Sequence, residues 1–390
     1  MIFLTACATE SSSPENDKTE RISLEVVDSL VLKTSQSSLF GSDDFDFFVS
    51  DEGLQQIAIF DAEELKIFLF NLDDGTLVRD IDIMTTGPNS IGPADSGTSL
   101  FNYKGSPMVW NNVTAVFNRL DWQGEVTGKF FFDQSRMEKD GVKPYLDYLR
   151  RPIIRGEEFV FTNVTMNPKS NDFTEVPAIQ RFLLNGDSVL FDGNIVNLPD
   201  EYNIGFTGFA QFKYVPNIVS VNAGESYYVS FPLSHEVKVL RSNGSLEKSI
   251  SVKSKYVDDF KPLRSIEYRE KMFKREETPP PMEEIDAYDM TNSDYQALIK
   301  DEQSGIFIRI VNLRPEMEAF EKGDATPDFS LVFFKEGGEV LDEIYLSGDE
   351  YYLFMTFTTE RGLHILNQRK TLDRDGELYF DIFEVKELGK

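Results

Sequence analysis

The sequence predicts an all-β protein, a six-bladed β-propeller closed by its N-terminal strand, with a short helical insertion between blades. Three observations lead there. Strand-like runs recur in pairs around short glycine turns, helical text is scarce, and a length of 390 residues combined with a repeated hairpin favours a ring of small sheets over a pair of sandwiches. The plainest unit is residues 227–252, where Asn243-Gly244 separates two strand-forming runs. Asn-Gly meets the positive φ that both central residues of a type I′ turn require, so a tight hairpin is expected. Leu246, Ile250 and Val252 share one parity on the return strand, opposite Ser245, Glu247, Ser249 and Ser251. That is the pattern of a half-buried strand.

The same cadence runs along the chain. Residues 22–32 (ISLEVVDSLVL) are β-rich but have no hairpin partner, as expected of a strand that joins the sheet made by the C-terminal residues and so closes a propeller. Residues 55–83 turn at Asp74-Gly75, 113–132 at Gln123-Gly124, 179–196 at Asn185-Gly186 and Asp192-Gly193, 330–346 at Gly337-Gly338, and 362–385 at Asp375-Gly376. With residues 227–252 these make six hairpin-bearing units of roughly 60 residues, at the long end for four-stranded blades. Such a sheet is unstable alone and packs its faces on its neighbours.

An extra segment, about 255–301, interrupts the cadence. Residues 263–277 suit a short helix with Leu263, Ile266 and Phe273 on one face, ended by Pro279-Pro280-Pro281. It reads as a loop insertion on one face of the ring, serving either a function or as a lid. A further helical turn is expected near residues 143–149.

Composition excludes several functions. Hydrophobic residues at 41% with 33 Phe indicate a folded chain. A formal net charge of -28 argues against binding nucleic acid, because phosphate contacts need clustered Lys and Arg, and against passive adhesion to anionic lipid. The single cysteine, Cys7, rules out an intramolecular disulfide and a cysteine metal cluster. Leu4-Thr5-Ala6-Cys7 resembles a bacterial lipobox, whose cysteine is lipidated and becomes the mature N-terminus. Residues 1–6 are then expected to be the end of a signal peptide that begins upstream, residues 7–21 a flexible tether rich in Ser, Glu, Asn and Asp, and residues 22–390 one propeller domain.

Three stretches carry a wider resemblance: Thr86-Gly87-Pro88-Asn89-Ser90-Ile91-Gly92, Tyr228-Val229-Ser230-Phe231-Pro232-Leu233 and Gly362-Leu363-His364-Ile365. They are similar to the marks of a lipoprotein family of unknown function from Gram-negative bacteria, grouped with six-bladed TolB-like propellers. The resemblance spans the body after the tether. It implies an outer-membrane lipoprotein facing the periplasm or the cell surface, and it supplies no catalytic residues.

Chemistry-bearing residues are sparse. His235 and His364 are the two histidines, both in strand-like text, and read as hydrogen-bonded structural groups. No nucleophile elbow, Walker loop, dinucleotide fingerprint or zinc-protease motif accompanies them. No cofactor is expected; calcium is the ion that the composition does not forbid, since its ligands are carboxylates and carbonyls. The runs Leu72-Asp73-Asp74-Gly75 and Asp373-Arg374-Asp375-Gly376-Glu377 fall short of a full calcium loop and sit where turns are needed. Glu63-Glu64, Glu157-Glu158 and Asp258-Asp259 read as solvated charges, and Arg150, Arg151 and Arg155 as a basic spot paired with nearby carboxylates. Trp110 and Trp122 read as packing between blades. The residues therefore point to a lipid-anchored binding or scaffold module with a protein, peptide or glycan ligand. The alternative is a calcium-dependent propeller hydrolase or lactonase using carboxylates of the central channel.

Overall fold

The computed structural model describes residues 21–34, 44–50, 52–94, 98–111, 113–132, 142–144, 151–165, 172–204, 211–221, 224–323, 326–374 and 376–388. The first strand, β1 (Ile22–Lys33), lies far in sequence from its partner. β2 (Phe45–Val49), β3 (Gln55–Asp61), β4 (Lys66–Asn71) and β5 (Leu77–Asp82) form an antiparallel sheet in chain order. β6 (Ser99–Tyr103), β7 (Ser106–Asn111), β8 (Val116–Leu120) and β9 (Val126–Phe132) repeat that order. The next group is β10 (Val142–Pro144), β11 (Ile153–Arg155), β12 (Glu158–Thr165), β13 (Pro177–Asn185) and β14 (Ser188–Asn197). A short parallel pairing of β14 with β9 fuses these two groups into one nine-stranded sheet.

Two further four-stranded sheets follow: β15 (Asn217–Val221), β16 (Ser226–Ser230), β17 (Glu236–Arg241) and β18 (Leu246–Ser251), then β19 (Asp294–Lys300), β20 (Phe307–Leu313), β21 (Asp328–Phe334) and β22 (Val340–Leu346). β23 (Tyr351–Thr359), β24 (Gly362–Asn367) and β25 (Glu377–Glu387) share their sheet with β1, which runs antiparallel to β25 from Ile22 opposite Glu387 to Lys33 opposite Glu377.

Middle strands read as unbroken apolar runs because both of their faces are covered. In β3, Ile57 and Ile59 pack toward the sheet of β1 and β23–β25, whereas Ala58 and Phe60 pack toward β6–β9. In β4, Phe68 and Phe70 take the first side and Ile67 and Leu69 the second. Every successive pair of strand groups is joined in this way by its own apolar cluster. Trp110 belongs to the cluster between β6–β9 and β10–β14, 4.5 Å from the ring of Phe117 and 5.8 Å from that of Phe132. Full burial of each such side chain stabilises the fold by about 1.5–3 kcal/mol.

The outer hairpins depart from the expected turn type. At β17–β18 the N–H of Gly244 donates to Arg241 O at 2.8 Å and the N–H of Arg241 to Ser245 O at 2.9 Å. Gly244 has φ 85, while Asn243 keeps a negative φ. The turn is therefore of type I with a glycine bulge, not type I′, and Asn243 instead accepts the Ser245 N–H on its side chain at 2.9 Å. Beyond the turn a further irregularity shifts the register between Val239, opposite Lys248, and Leu240, opposite Leu246, with Glu247 as the extra residue. It leaves Leu246 55% exposed although Ile250, of the same parity, is 6% exposed. Asp192-Gly193, expected as a turn, lies inside β14, where the pairing with β13 slips at Arg181/Phe182. At Gly376 the last connection is not tight either: the short helix Gln368–Leu372 intervenes after β24. Asp375 is outside the described residues.

The insertion is shorter than expected, because its last stretch, Asp294–Lys300, is β19. It holds two helices, α1 (Ile266–Phe273), capped by the Ser265 side chain, and α2 (Met282–Thr291), which starts directly after Pro281. Of the face predicted for α1, Ile266 is exposed and Leu263 half-buried, and the Phe273 side chain is outside the described residues; Arg269 is buried with its guanidinium 3.9 Å from the ring centroid of Phe173. Near residues 143–149, Val142–Pro144 is strand rather than helix and residues 145–150 are outside the described set. Cys7 and residues 1–20 also lie outside it.

Gly75 (φ 71) and Gly53 (φ 83) sit in comparable hairpin turns but in different surroundings. A Cβ at Gly75 would overlap the carbonyl oxygen of Val31 on β1, whereas one at Gly53 would meet nothing within 4 Å. Gly53→Ala is expected to cost only the left-handed strain, about 1 kcal/mol. Gly75→Ala adds a forced separation of two sheets and is expected to cost about 3 kcal/mol or more. Urea unfolding midpoints at equal m-values check this, and equal losses for the two variants would contradict the role assigned to Gly75.

Candidate functional site

Strands β2, β6, β15, β19 and β23 lead their groups, β11 shares the leading edge of β12 with β10, and residues of β2, β6, β11, β15, β19 and β23 line one cavity of about 590 Å³. Asp46 and Phe47 come from β2 and Asn102 from β6, while Arg151 and Pro152 precede Ile153 and Ile154 of β11. Val219 and Ser220 come from β15, Ile299 and Lys300 from β19, Thr358 from β23, and Glu302 follows β19. An inner strand has a free edge, and its N–H groups need acceptors. Here the neighbouring strand supplies them through side chains. The N–H of Leu100 donates to Asp44 Oδ2 at 2.8 Å and that of Asn102 to Asp46 Oδ2 at 2.7 Å. The Asn102 side-chain amide donates to Phe47 O at 2.6 Å, and that of Asn217 to Gln296 O at 2.6 Å.

Asp46 is therefore part of the wall. Its Oδ1 accepts the Phe47 N–H at 2.7 Å and forms an ion pair with Arg151, whose guanidinium lies 5.7 Å from the Phe47 ring centroid. Across the cavity lining, Lys300 Nζ is 3.4 Å from Glu302 Oε2, and its carbonyl accepts the Thr358 hydroxyl at 3.1 Å. The basic spot predicted from sequence is divided between two environments. Arg151 faces the cavity, and Arg155 lies 4.7 Å from the Tyr227 ring centroid and 4.0 Å from Glu158. Arg150 is outside the described residues.

Among the described residues, no three His, Cys, Asp or Glu side chains gather closely enough to hold a metal ion. The two acidic residues of the lining, Asp46 and Glu302, are each paired with a cation, so nothing supports the calcium-dependent hydrolase alternative. At Leu72-Asp73-Asp74-Gly75 the side chains serve the turn: Asp74 accepts the Thr76 N–H at 3.0 Å and Asn71 accepts the Asp73 N–H at 2.9 Å. Glu63, Glu64, Glu157, Asp258 and Asp259 are exposed, and Glu158 is half-buried between Arg155 and Arg181.

The remaining candidates are structural. His235 accepts at Nδ1 from Tyr295 Oη (2.8 Å) and donates from Nε2 to Asp258 O (2.7 Å), a tautomer set by the carbonyl, which can only accept. Burial lowers its pKa. His364 is buried against Phe357, with Nδ1 3.0 Å from Gly362 O. Trp122 packs edge-on to Phe48 at 5.0 Å. In the 86–92 loop, Ser90 Oγ donates to Gly87 O at 2.8 Å and the Ile91 N–H to Met84 O at 2.9 Å. Asn89 accepts the Val126 N–H through its backbone at 3.2 Å.

Sequence reasoning missed Arg309, a fully buried arginine on β20. It donates to Ser230 Oγ (2.8 Å), Val252 O (2.9 Å), Phe231 O (3.1 Å) and Ser234 O (2.6 Å), and stands 3.3 Å over the Tyr295 ring centroid. Burial lowers its pKa to about 10, so it remains charged at neutral pH. It joins β20 to the turn after β16 that contains Phe231-Pro232-Leu233. A lone arginine inside the apolar run Phe307–Leu313 is the signal that finds it.

Small antiparallel sheets packed face to face, with their leading strands around one cavity, define a β-propeller type of architecture. No family model matches the chain, and no curated protein sequence matches it. Among solved structures, the chain is similar to a member of the DUF4221 family from Bacteroides vulgatus, with 15% identity over 95% of this chain and 100% of that one, at a TM-score of 0.72. A protein from Bacteroides fragilis has 10% identity, coverage of 94% and 96%, and a TM-score of 0.48. The β-propeller domain of Cps50 (Swd1) from Myceliophteria thermophila has 8% identity, coverage of 92% and 100%, and a TM-score of 0.38. Only the first likeness is strong enough to bear on this chain, and it concerns the fold alone.

His364 makes stability sensitive to acid. Burial holds its pKa at about 4, below the ordinary 6.5, so the unfolded chain takes up a proton that the folded one refuses. Stability present above pH 6.5 is lost as pH falls toward 4, by about 2 kcal/mol between pH 7.5 and 5.0. Urea unfolding at both pH values is expected to show this loss in the parent chain and a loss smaller by that amount in His364→Phe. An unchanged pH dependence in the variant would refute the assignment.

Proposed function

We propose that this chain is a lipid-anchored, six-bladed β-propeller of the cell envelope, closed by β1, that acts as a binding or scaffold module. The ring is supported by six apolar clusters that join successive strand groups in cyclic order, and by the antiparallel pairing of β1 with β25. The non-catalytic reading rests on one observation above all: Asp46, the buried acid of the cavity, holds a neighbouring strand edge and an arginine and is not poised as a base. The anchor rests on Leu4-Thr5-Ala6-Cys7 and the polar stretch behind it.

In this reading Cys7 carries the lipid, residues 7–21 form the tether, and the body faces the periplasm or the cell surface from the outer membrane. More than one acyl chain is needed for stable attachment, because a single chain binds membranes only marginally. Among the described residues no helix is long and apolar enough to cross a membrane. The partner is a protein, peptide or glycan met in that compartment.

Expressed in a Gram-negative host with its own leader, the chain is expected in the membrane fraction, and globomycin is expected to leave an unprocessed precursor. Cys7→Ala is expected to move the body to the soluble fraction. Processing and fractionation that ignore both treatments would remove the anchor from the proposal.

A further inference from the structure

We infer that the cavity lined by the leading strands is a binding site for a small organic anion with an apolar body, gripped by Lys300 with Arg151 nearby in the lining. This rests on reading the cavity as the ligand site of a binding module. Four charged side chains are in its described lining, Asp46, Arg151, Lys300 and Glu302, and their surroundings differ. The Asp46 carboxylate is buried and accepts two backbone N–H groups besides pairing with Arg151, so its charge is balanced within the wall. Glu302 has a side chain 77% exposed and is solvated by bulk water, so its pairing with Lys300 is a weak contact that an incoming anion can replace. The Lys300 side chain is only 18% exposed. An ammonium partly withdrawn from water gains more from an anion than one on the open surface does.

The rest of the lining dictates the body of the ligand. Phe47, Ile153, Val219 and Ile299 alternate with the polar groups, and a volume of about 590 Å³ lies in the range of small-molecule sites, roughly 300–1,000 Å³. Acetate would leave the apolar wall wet, and an uncharged ligand would leave Lys300 unrewarded. Selection by contacts inside the cavity is also what a chain of net charge -28 requires, since its overall field does not draw anions in.

Calorimetric titration of the full chain with 4-phenylbutyrate, 4-phenylbutan-1-ol and acetate tests the inference, because the first two share one body and differ in charge. Saturable 1:1 binding of the acid is expected, at least tenfold tighter than the alcohol, with no detectable heat from acetate. Lys300→Met should bring the acid down to the level of the alcohol, while Lys300→Arg should keep most of the preference. Circular dichroism melts of each variant separate loss of the site from loss of the fold. Equal binding of acid and alcohol, no binding of either, or undiminished acid binding in a folded Lys300→Met chain would each overturn the inference. Cys7→Ala leaves this measurement untouched, so failure of the anchor and failure of the site are read separately.

Discussion

At four of the joints between successive strand groups, the groups approach one another over a glycine. In β4–β5 the bulge glycine of the outer hairpin faces the carbonyl oxygen of Val31 on β1, and in β17–β18 a Cβ at Gly244 would come within 2.9 Å of the carbonyl of Ile195 on β14. The same hairpin position recurs at Gly124, facing Asp82 just at the end of β5, and at Gly338, facing Ile250 on β18. Each is a left-handed residue that closes its own turn and also lets the preceding group come close, by its backbone at Gly75, Gly124 and Gly244 and by the Ile250 side chain at Gly338. One atom's absence thus serves two levels of structure, local turn and packing distance. At these joints the rims do not hold the sheets apart, and the apolar clusters beneath them reach close packing.

Polar groups reinforce these joints. Arg309 crosses from β20 to the carbonyls around Phe231-Pro232-Leu233, and the N–H of Tyr295 adds a 3.0 Å bond to Pro232 O. On the opposite edge of the β19–β22 sheet, Glu343 is buried and accepts from Ser254 Oγ, Ser330 Oγ and the Lys255 N–H, all at 2.6 Å. Buried charges are tolerated where every lone pair or N–H finds a partner. Of the three stretches singled out in the sequence, 228–233 supplies acceptors at a joint of this kind, 86–92 forms a local turn, and Gly362 lies within its own sheet against the Phe383 carbonyl of β25.

The cavity follows from the same geometry. Packing leaves room between the leading strands, and their free edges turn to side chains for partners: Asp44 and Asp46 accept backbone N–H groups, and the Asn102 and Asn217 amides donate to backbone carbonyls. Carboxylates held in this way are poor general bases but good wall elements. Lys300, tied only loosely to an exposed Glu302, is the group whose chemistry the wall leaves available.

The chain by itself determined the all-β class, most hairpin positions, the structural nature of both histidines and the packing roles of the tryptophans, because these depend on residues near one another in sequence or on the chemistry of one side chain. The hairpin at Asn243-Gly244 was legible as a hairpin, but its turn type was not: three residues, not two, separate the paired Arg241 and Ser245, so Asn243 sits inside a type I turn, and a register break at Glu247 exposes Leu246 against its parity. Tertiary structure alone decided the site. Asp46 and Arg151 are 105 positions apart, and Arg309 reaches 79 back to Ser230. No local pattern encodes such pairs, since they arise when separate sheets pack against each other and leave buried charges and strand edges in need of partners.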